Sequence, residues 1–234
     1  MWPSEPRLLG RNEVAEKRPL CVILGGGGHA AVIIETLILE GGAVPWVVLD
    51  SNQALWGQQL CGLPIRGGDE KLSDLKAEGV DGFVVGLGGT GDNEPRRRLF
   101  LNAQGVGLRP MTVRHPSAIC STSAHVGEGT VLLAGSVVGA RTTVGRNVII
   151  NSGAIVEHDG HIGDHVHIAS GAVLASTVTV EEGAHIGAGA VVRQSIRVGA
   201  GAIVGAGAVV VRDVRPGQTV VGVPAQPLSD RRRQ

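Results

Sequence analysis

The sequence predicts a chain in two parts, an α/β domain followed by a parallel β-helix, and two observations carry that prediction. The first is an aliphatic residue at every sixth position from Val126 to Val210, without a gap. The second is a strand, glycine-rich turn and helix pattern between Leu20 and Glu40. Composition agrees with the repeat: 37 glycines, 2% aromatic residues and no tyrosine in 234 residues describe something repetitive built from small side chains.

A six-residue beat fits neither the 3.6-residue period of an α-helix nor a plain alternating strand, whereas hexapeptide periods mark parallel β-helices. Each hexad forms one short flat side of a triangular prism. Its aliphatic fills the interior, and the small or branched residue two places earlier, such as Ala154, Val166 or Ala172, permits the corner. Three sides close one coil, so residues 18 apart stack and the fifteen hexads make five coils. The period sets neither the hand of the winding nor the number of prisms that assemble.

In the front part, Leu20–Leu24 reads as a strand, Gly25–Ala30 as a tight turn and Ala31–Glu40 as a helix. That geometry turns backbone N–H groups and a helix N-terminus toward a phosphate. A second strand, Trp46–Leu49, delivers Asp50, placed where an acid commonly meets a ribose. A third apolar run, Phe83–Val85, leads into the loop Gly86–Asn93 and an arginine-rich helix from about Pro95 to Gln104. The turn alone also fits a plain structural turn or dinucleotide oxidoreduction. Against the latter, the domain spans only about 95 residues and no dehydrogenase-type catalytic dyad follows it. The expected boundaries are a flexible leader at 1–19, the α/β domain at 20–114, the β-helix at 115–227 and a tail at 228–234.

Charge is balanced at 21 basic and 21 acidic residues, which removes any general attraction to nucleic acid or anionic membrane. The most apolar stretch, Ala30–Leu39, is interrupted by Glu35 and Thr36 and is too short to span a bilayer. Residues 1–19 lack the apolar segment of a secretory signal, and Arg231–Arg233 read as a solvated end. Cys21, Cys61 and Cys120 are odd in number and form no Cys-x-x-Cys pair, which suits a reducing, cytoplasmic location without a metal cage.

The register also ranks the histidines. His125, His161, His167 and His185 each precede an interior aliphatic and point outward, whereas His158 falls two residues after Val156, near a corner. His167 and His185 are 18 apart and stack. His161, His165 and His185 read as surface decoration. A zinc site of the γ-carbonic anhydrase type would use His125 and His161, but its third ligand falls at Val166, so no metal is expected.

The hexad pattern over Ile119–Pro227 resembles the hexapeptide-repeat acyltransferases, whose prisms wind left-handed and assemble as homotrimers. From Leu20 to Leu228 the whole chain resembles one subgroup, the sialic acid O-acetyltransferases and nucleotide-amino-sugar N-acetyltransferases of the NeuD/PglD type. The resemblance is carried by Gly25–Ala30, Asp50, the Gly86–Asn93 loop with Arg96–Arg98, His115–Ala118, Asn151 through His158-Asp159, and Gly222–Ala225. It implies acetyl-CoA as co-substrate with no permanently bound cofactor, and a nucleotide-activated amino sugar as acceptor in surface glycan biosynthesis. Gly27, Gly28, His29, Asp50, Ser51 and Gly88 would bind the nucleotide sugar, although His29 reads equally as a structural cap. His158 would be the general base, with Asp159 orienting it and Asn151 beside it. His167, Ser176, Ala188 and Ala206 would meet acetyl-CoA. Histidine suits the proton transfer because free imidazole titrates at about pH 6.5. Sugar O-acetylation of the sialic-acid type and a catalytically silent nucleotide-sugar-binding trimer remain the alternatives. The chain departs from the pattern at Ser176, at Glu181-Glu182 and at Gln226, which bear on the path of the acyl donor.

Overall fold

The computed structural model describes residues 18–89 and 91–228. The leader up to residue 17 and the arginines at 231–233 lie outside the described residues. In chain order the front domain contains β1 (Leu20–Leu24), α1 (Gly28–Glu40), β2 (Val44–Leu49), the hairpin β3 (Gln59–Leu60) and β4 (Leu63–Pro64), α2 (Leu72–Ala77), β5 (Gly82–Val85), α3 (Glu94–Gly105) and β6 (Arg109–Pro110). Its main sheet has the order β2-β1-β5-β6 with every pairing parallel. Helices cover both sides of it, which explains why β1 and β5 are continuous apolar runs.

Helix α1 is buried on the sides that meet the sheet and the prism, while Val32, Ile38 and Leu39 lie exposed on the rest of its surface. Ile33, Ile34 and Leu37 share one core with Ile23, Val48 and Val84 of the sheet and with Val131, Leu133 and Ile149 of the following prism. On the sheet's other side, Leu72 of α2 and Phe100 of α3 pack on Val22, Leu24 and Phe83.

From Val113 onward the chain winds as a left-handed β-helix of two-residue strands. Its three faces carry eight, six and five strands, the eighth being the one antiparallel strand, Gln226–Pro227. The winding therefore extends to about six turns, one more than the hexad count, because Val113-Arg114 and Ile119-Cys120 already pair in register with Val131-Leu132 and Val137-Val138. At the far end the beat slips: Val204 pairs with Val220 and Val198 with Val214, sixteen residues on. The aliphatic and the residue two places before it both face the interior, as Val156 with Ala154 and Ile168 with Val166 illustrate, all 0% exposed.

The outward residues make the three faces chemically different. One is covered by the chain's own front domain, with Val131 and Ile149 fully buried. A second is polar, displaying His125, Thr143, His161, Thr179 and Arg197. The third displays only aliphatics, Ile119, Val137, Ile155, Val173, Val191 and Val209. None of the described residues covers it: Ile119 is 63% and Val191 40% exposed.

At every corner from residue 129 to 207 one residue adopts a left-handed conformation, with φ between 52° and 70°. Glycine fills most of these positions, since other side chains are strained there. The exceptions come in three stacked pairs one coil apart, and in each pair the side chains bond. They are Arg141 with Asp159 at 2.7 Å, Asn147 with His165 at 2.9 Å, and Thr177 with Ser195 at 2.9 Å.

Candidate functional site

The chain Arg141–Asp159–His158 occupies the corner between the aliphatic and polar faces. The His158 Nδ1–H donates to Asp159 Oδ2 at 2.7 Å, while Arg141 grips the same carboxylate through Nε and Nη2, each at 2.7 Å. Arg141 first, and His158 second, hold the Asp159 carboxyl well below the usual carboxylate range. An anionic Asp159 fixes the His158 proton on Nδ1 and leaves Nε2 free to accept one. The side chain of His158 is 50% exposed, so Nε2 is accessible. Close approach of the preceding coil supports this corner: a Cβ on Gly139 would lie 2.6 Å from the His158 backbone nitrogen.

Asn151 and His167 form a second cluster at the other edge of the aliphatic face. His167 Nδ1 can only donate to the Gly89 carbonyl, 3.0 Å away, so Nε2 accepts the Asn151 Nδ2–H at 3.1 Å. The Asn151 Oδ1 in turn accepts the Ser152 N–H at 2.8 Å. His167 points outward from the prism as expected, yet only 5% of it is exposed because the front domain covers it. Among the described residues no hydrogen bond joins this cluster to His158, and the aliphatic face separates them. The residues expected to meet the acyl donor divide likewise: Ser176 stacks above His158, whereas Ala188 and Ala206 are exposed on the Asn151 corner. Along that corner the left-handed positions are all glycine, preceded by Ala134, Ser152, Ser170, Ala188 and Ala206, which leaves a smooth, small-residue edge.

The front domain presents a cleft of about 470 Å³ that includes Gly25, Asp50 and Ser51. Gly27, Gly28, His29 and Gly88 are not in its lining. They gather at the N-terminus of α1, where Gly27 caps without any side-chain bond and a Cβ on Gly27 or Gly28 would meet nothing within 4 Å. Asp50 is engaged locally: Oδ2 accepts the Gly26 N–H at 2.6 Å and Oδ1 the Asn52 N–H at 2.7 Å, shaping the glycine turn.

The junction between domain and prism contains residues to which the sequence reading gave no structural role. Arg96 is 1% exposed; its guanidinium donates to the carbonyls of Val85 and Leu87 and, at 2.9 Å, to Asn147 Oδ1 on the prism. Asn93 Nδ2 donates to the Gly183 and Ala184 carbonyls at 3.1 and 3.0 Å. His165, expected as surface decoration, is 3% exposed and bonded to Asn147, because α3 packs over it through Phe100. His185 is also no free surface group: it packs edge-on against His167 at 4.9 Å. Glu181 and Glu182 are engaged internally, the first with Arg197 and the Ala200 N–H, the second with Arg97 at 3.4 Å. Among the described residues no group of three His, Cys, Asp or Glu is placed to hold a metal.

Burial first, and the nearby charges second, lower the pKa of His29 and of His167 to about 3. Both are neutral when folded, so stability is fully present above the unfolded-state value and lost as pH falls toward the folded one. Lowering the pH from 7 to 5 is expected to cost about 2 kcal/mol for each of the two. Urea unfolding at both pH values measures it, and His167→Gln should remove about half of the difference.

A left-handed hexapeptide prism with a carboxylate-held histidine at its corner and an α/β domain in front defines a sugar acyltransferase. The PglD N-terminal domain model matches residues 21–102, and the bacterial transferase hexapeptide model matches residues 159–194. The acetyltransferase domain of PglB from Neisseria gonorrhoeae is 37% identical with a TM-score of 0.83, over 91% of this chain and 100% of that one. Perosamine N-acetyltransferase from Caulobacter crescentus, solved as a histidine-to-asparagine mutant with CoA and GDP-perosamine, is 37% identical with a TM-score of 0.84, over 90% and 97%. WeeI from Acinetobacter baumannii is 26% identical with a TM-score of 0.80, over 89% and 99%. No curated protein sequence matches. The chain belongs to the NeuD/PglD family of hexapeptide-repeat sugar acyltransferases.

Proposed function

We propose that this protein transfers an acetyl group from acetyl-CoA to the amino group of a nucleotide-linked amino sugar, at a site completed between neighbouring copies of a homotrimer. The observation that carries the reading is the pair of half-sites on opposite edges of an uncovered aliphatic face. When three prisms turn that face toward a common axis, the His158 corner of one meets the Asn151 corner of the next. An exposed apolar stripe of this length favours such burial.

At that junction His158 Nε2 accepts the proton that the sugar nitrogen loses as it forms its bond to the thioester carbonyl carbon. The carbon–sulfur bond breaks, and the imidazolium returns the proton to the departing CoA thiolate. Asp159, held ionised by Arg141, stabilises that imidazolium and keeps its tautomer. Asn151 and His167 on the neighbouring corner position the thioester, and the small edge at Ala188 and Ala206, with Ser176 opposite, gives the pantetheine arm a path. Gly27, Gly28, His29 and Gly88 at the open helix terminus, with Asp50 and Ser51 in the adjoining cleft, hold the nucleotide sugar. Support comes from the perosamine N-acetyltransferase relative, crystallised with CoA and GDP-perosamine.

Surface glycan biosynthesis in the cytoplasm fits the donor and the three unpaired cysteines. No described helix is long and apolar enough to cross a membrane. The test is thiol release from acetyl-CoA with UDP-, GDP- and dTDP-linked amino sugars and with free and CMP-linked sialic acid. Release with an amino sugar only is expected. Release with sialic acid only would move the chemistry to oxygen, and none with any acceptor would leave a binding trimer.

A further inference from the structure

Which base the front-domain cleft accepts can be read from the groups that face it, granted the nucleotide-sugar reading above. Its lining includes Leu87, Pro95 and Leu99, apolar surface against which a flat ring packs. The polar groups beside them are Asp69, Arg98 and Asn102. Asp69 opens the turn Asp69–Lys71 that precedes α2 and is half-buried. Burial is the main influence on its carboxyl and raises its pKa, while the Asn102 amide offsets part of that effect. No lysine or arginine forms an ion pair with it among the described residues. The other acid of the cleft, Asp50, has each of its oxygens accepting a backbone N–H. Asp69 is thus the acid of the cleft lining that has no charged partner among the described residues, in a cleft of about 470 Å³.

We propose that this cleft selects a guanine nucleotide, read by the carboxylate of Asp69 together with the carboxamide of Asn102. An ionised carboxylate only accepts hydrogen bonds, and its two oxygens call for two neighbouring donors. Guanine supplies them as N1–H and the 2-amino group on one edge. Uracil and thymine offer a single N3–H between two carbonyl oxygens, which a carboxylate repels. Adenine and cytosine set their amino group beside a ring-nitrogen acceptor, with the same conflict. Asn102 lines the same cleft as Asp69, and its amide has an N–H to offer the guanine O6. A site built around buried hydrogen-bonding groups rejects ligands that leave those groups unpaired.

Calorimetric titration of the full chain with GDP, UDP, dTDP and ADP tests the assignment. GDP is expected to bind at least about tenfold tighter than the other three. Asp69→Asn should weaken GDP by about tenfold and change UDP by less than about threefold, and Asn102→Ala should narrow the preference in the same direction. Melting temperatures of both variants matching the parent would establish that the fold is intact. UDP, dTDP or ADP binding as tightly as GDP would overturn the base assignment and leave the nucleotide site standing, as would a GDP preference that survives Asp69→Asn. Failure of all four to bind would remove the nucleotide site itself, and the base assignment with it.

Discussion

Replacing His158 by alanine is expected to lower turnover by about 10²- to 10⁴-fold, the usual worth of a general base. The loss should fall on kcat, because the acetyl-CoA and nucleotide contacts are made elsewhere. Its side chain is 50% exposed and bonds only to Asp159, so the melting temperature should hold. Asp159→Asn should lower kcat less than His158→Ala, since Nε2 remains while the charge that stabilises the imidazolium goes. Steady-state kinetics with saturating acetyl-CoA measure both, and full activity in His158→Ala would remove the imidazole from the mechanism.

A second large effect is expected from Val191→Asp. Val191 is 40% exposed on the aliphatic face, two coils along the prism from Ile155. Folding of the single chain tolerates a charge there, because that position faces solvent until copies assemble. Assembly does not: three carboxylates would meet around one axis in an apolar contact. Sedimentation or light scattering should find monomers, and acetyl transfer should disappear with the trimer even though every reacting group is untouched. An active monomer would place the whole site within one chain.

The prism was legible because a six-residue aliphatic beat has one structural outcome, and the glycine turn after β1 was legible because its neighbours are a strand and a helix. Reading Arg141 required a further step: it stands 18 residues before Asp159, at the same left-handed corner, and a non-glycine residue at that position is itself a signal. The same rule picks out Asn147, and it picks out His165, which pattern alone reduced to surface. What hides them is the front domain, whose α3 brings Arg96 and Phe100 over that corner. No periodicity within the prism records where another domain lands. The six-residue beat stops at Val210, inside the expected 115–227 β-helix, for a different reason: Val210 is followed by a shortened corner that brings Val214, and then Val220, into the core. Strict counting places Pro216 there instead.

Mixing two inactive variants, His158→Ala and Asn151→Ala, tests most directly whether the site is shared between subunits. Unfolded together and refolded, the chains assemble at random. A working site then needs an intact His158 corner from one chain and an intact Asn151 corner from the next. Recovery of about one quarter of the parent activity is expected at an equal ratio, since each of the two positions is filled correctly about half the time. Activity no higher than that of the separate variants would contradict a site completed between copies.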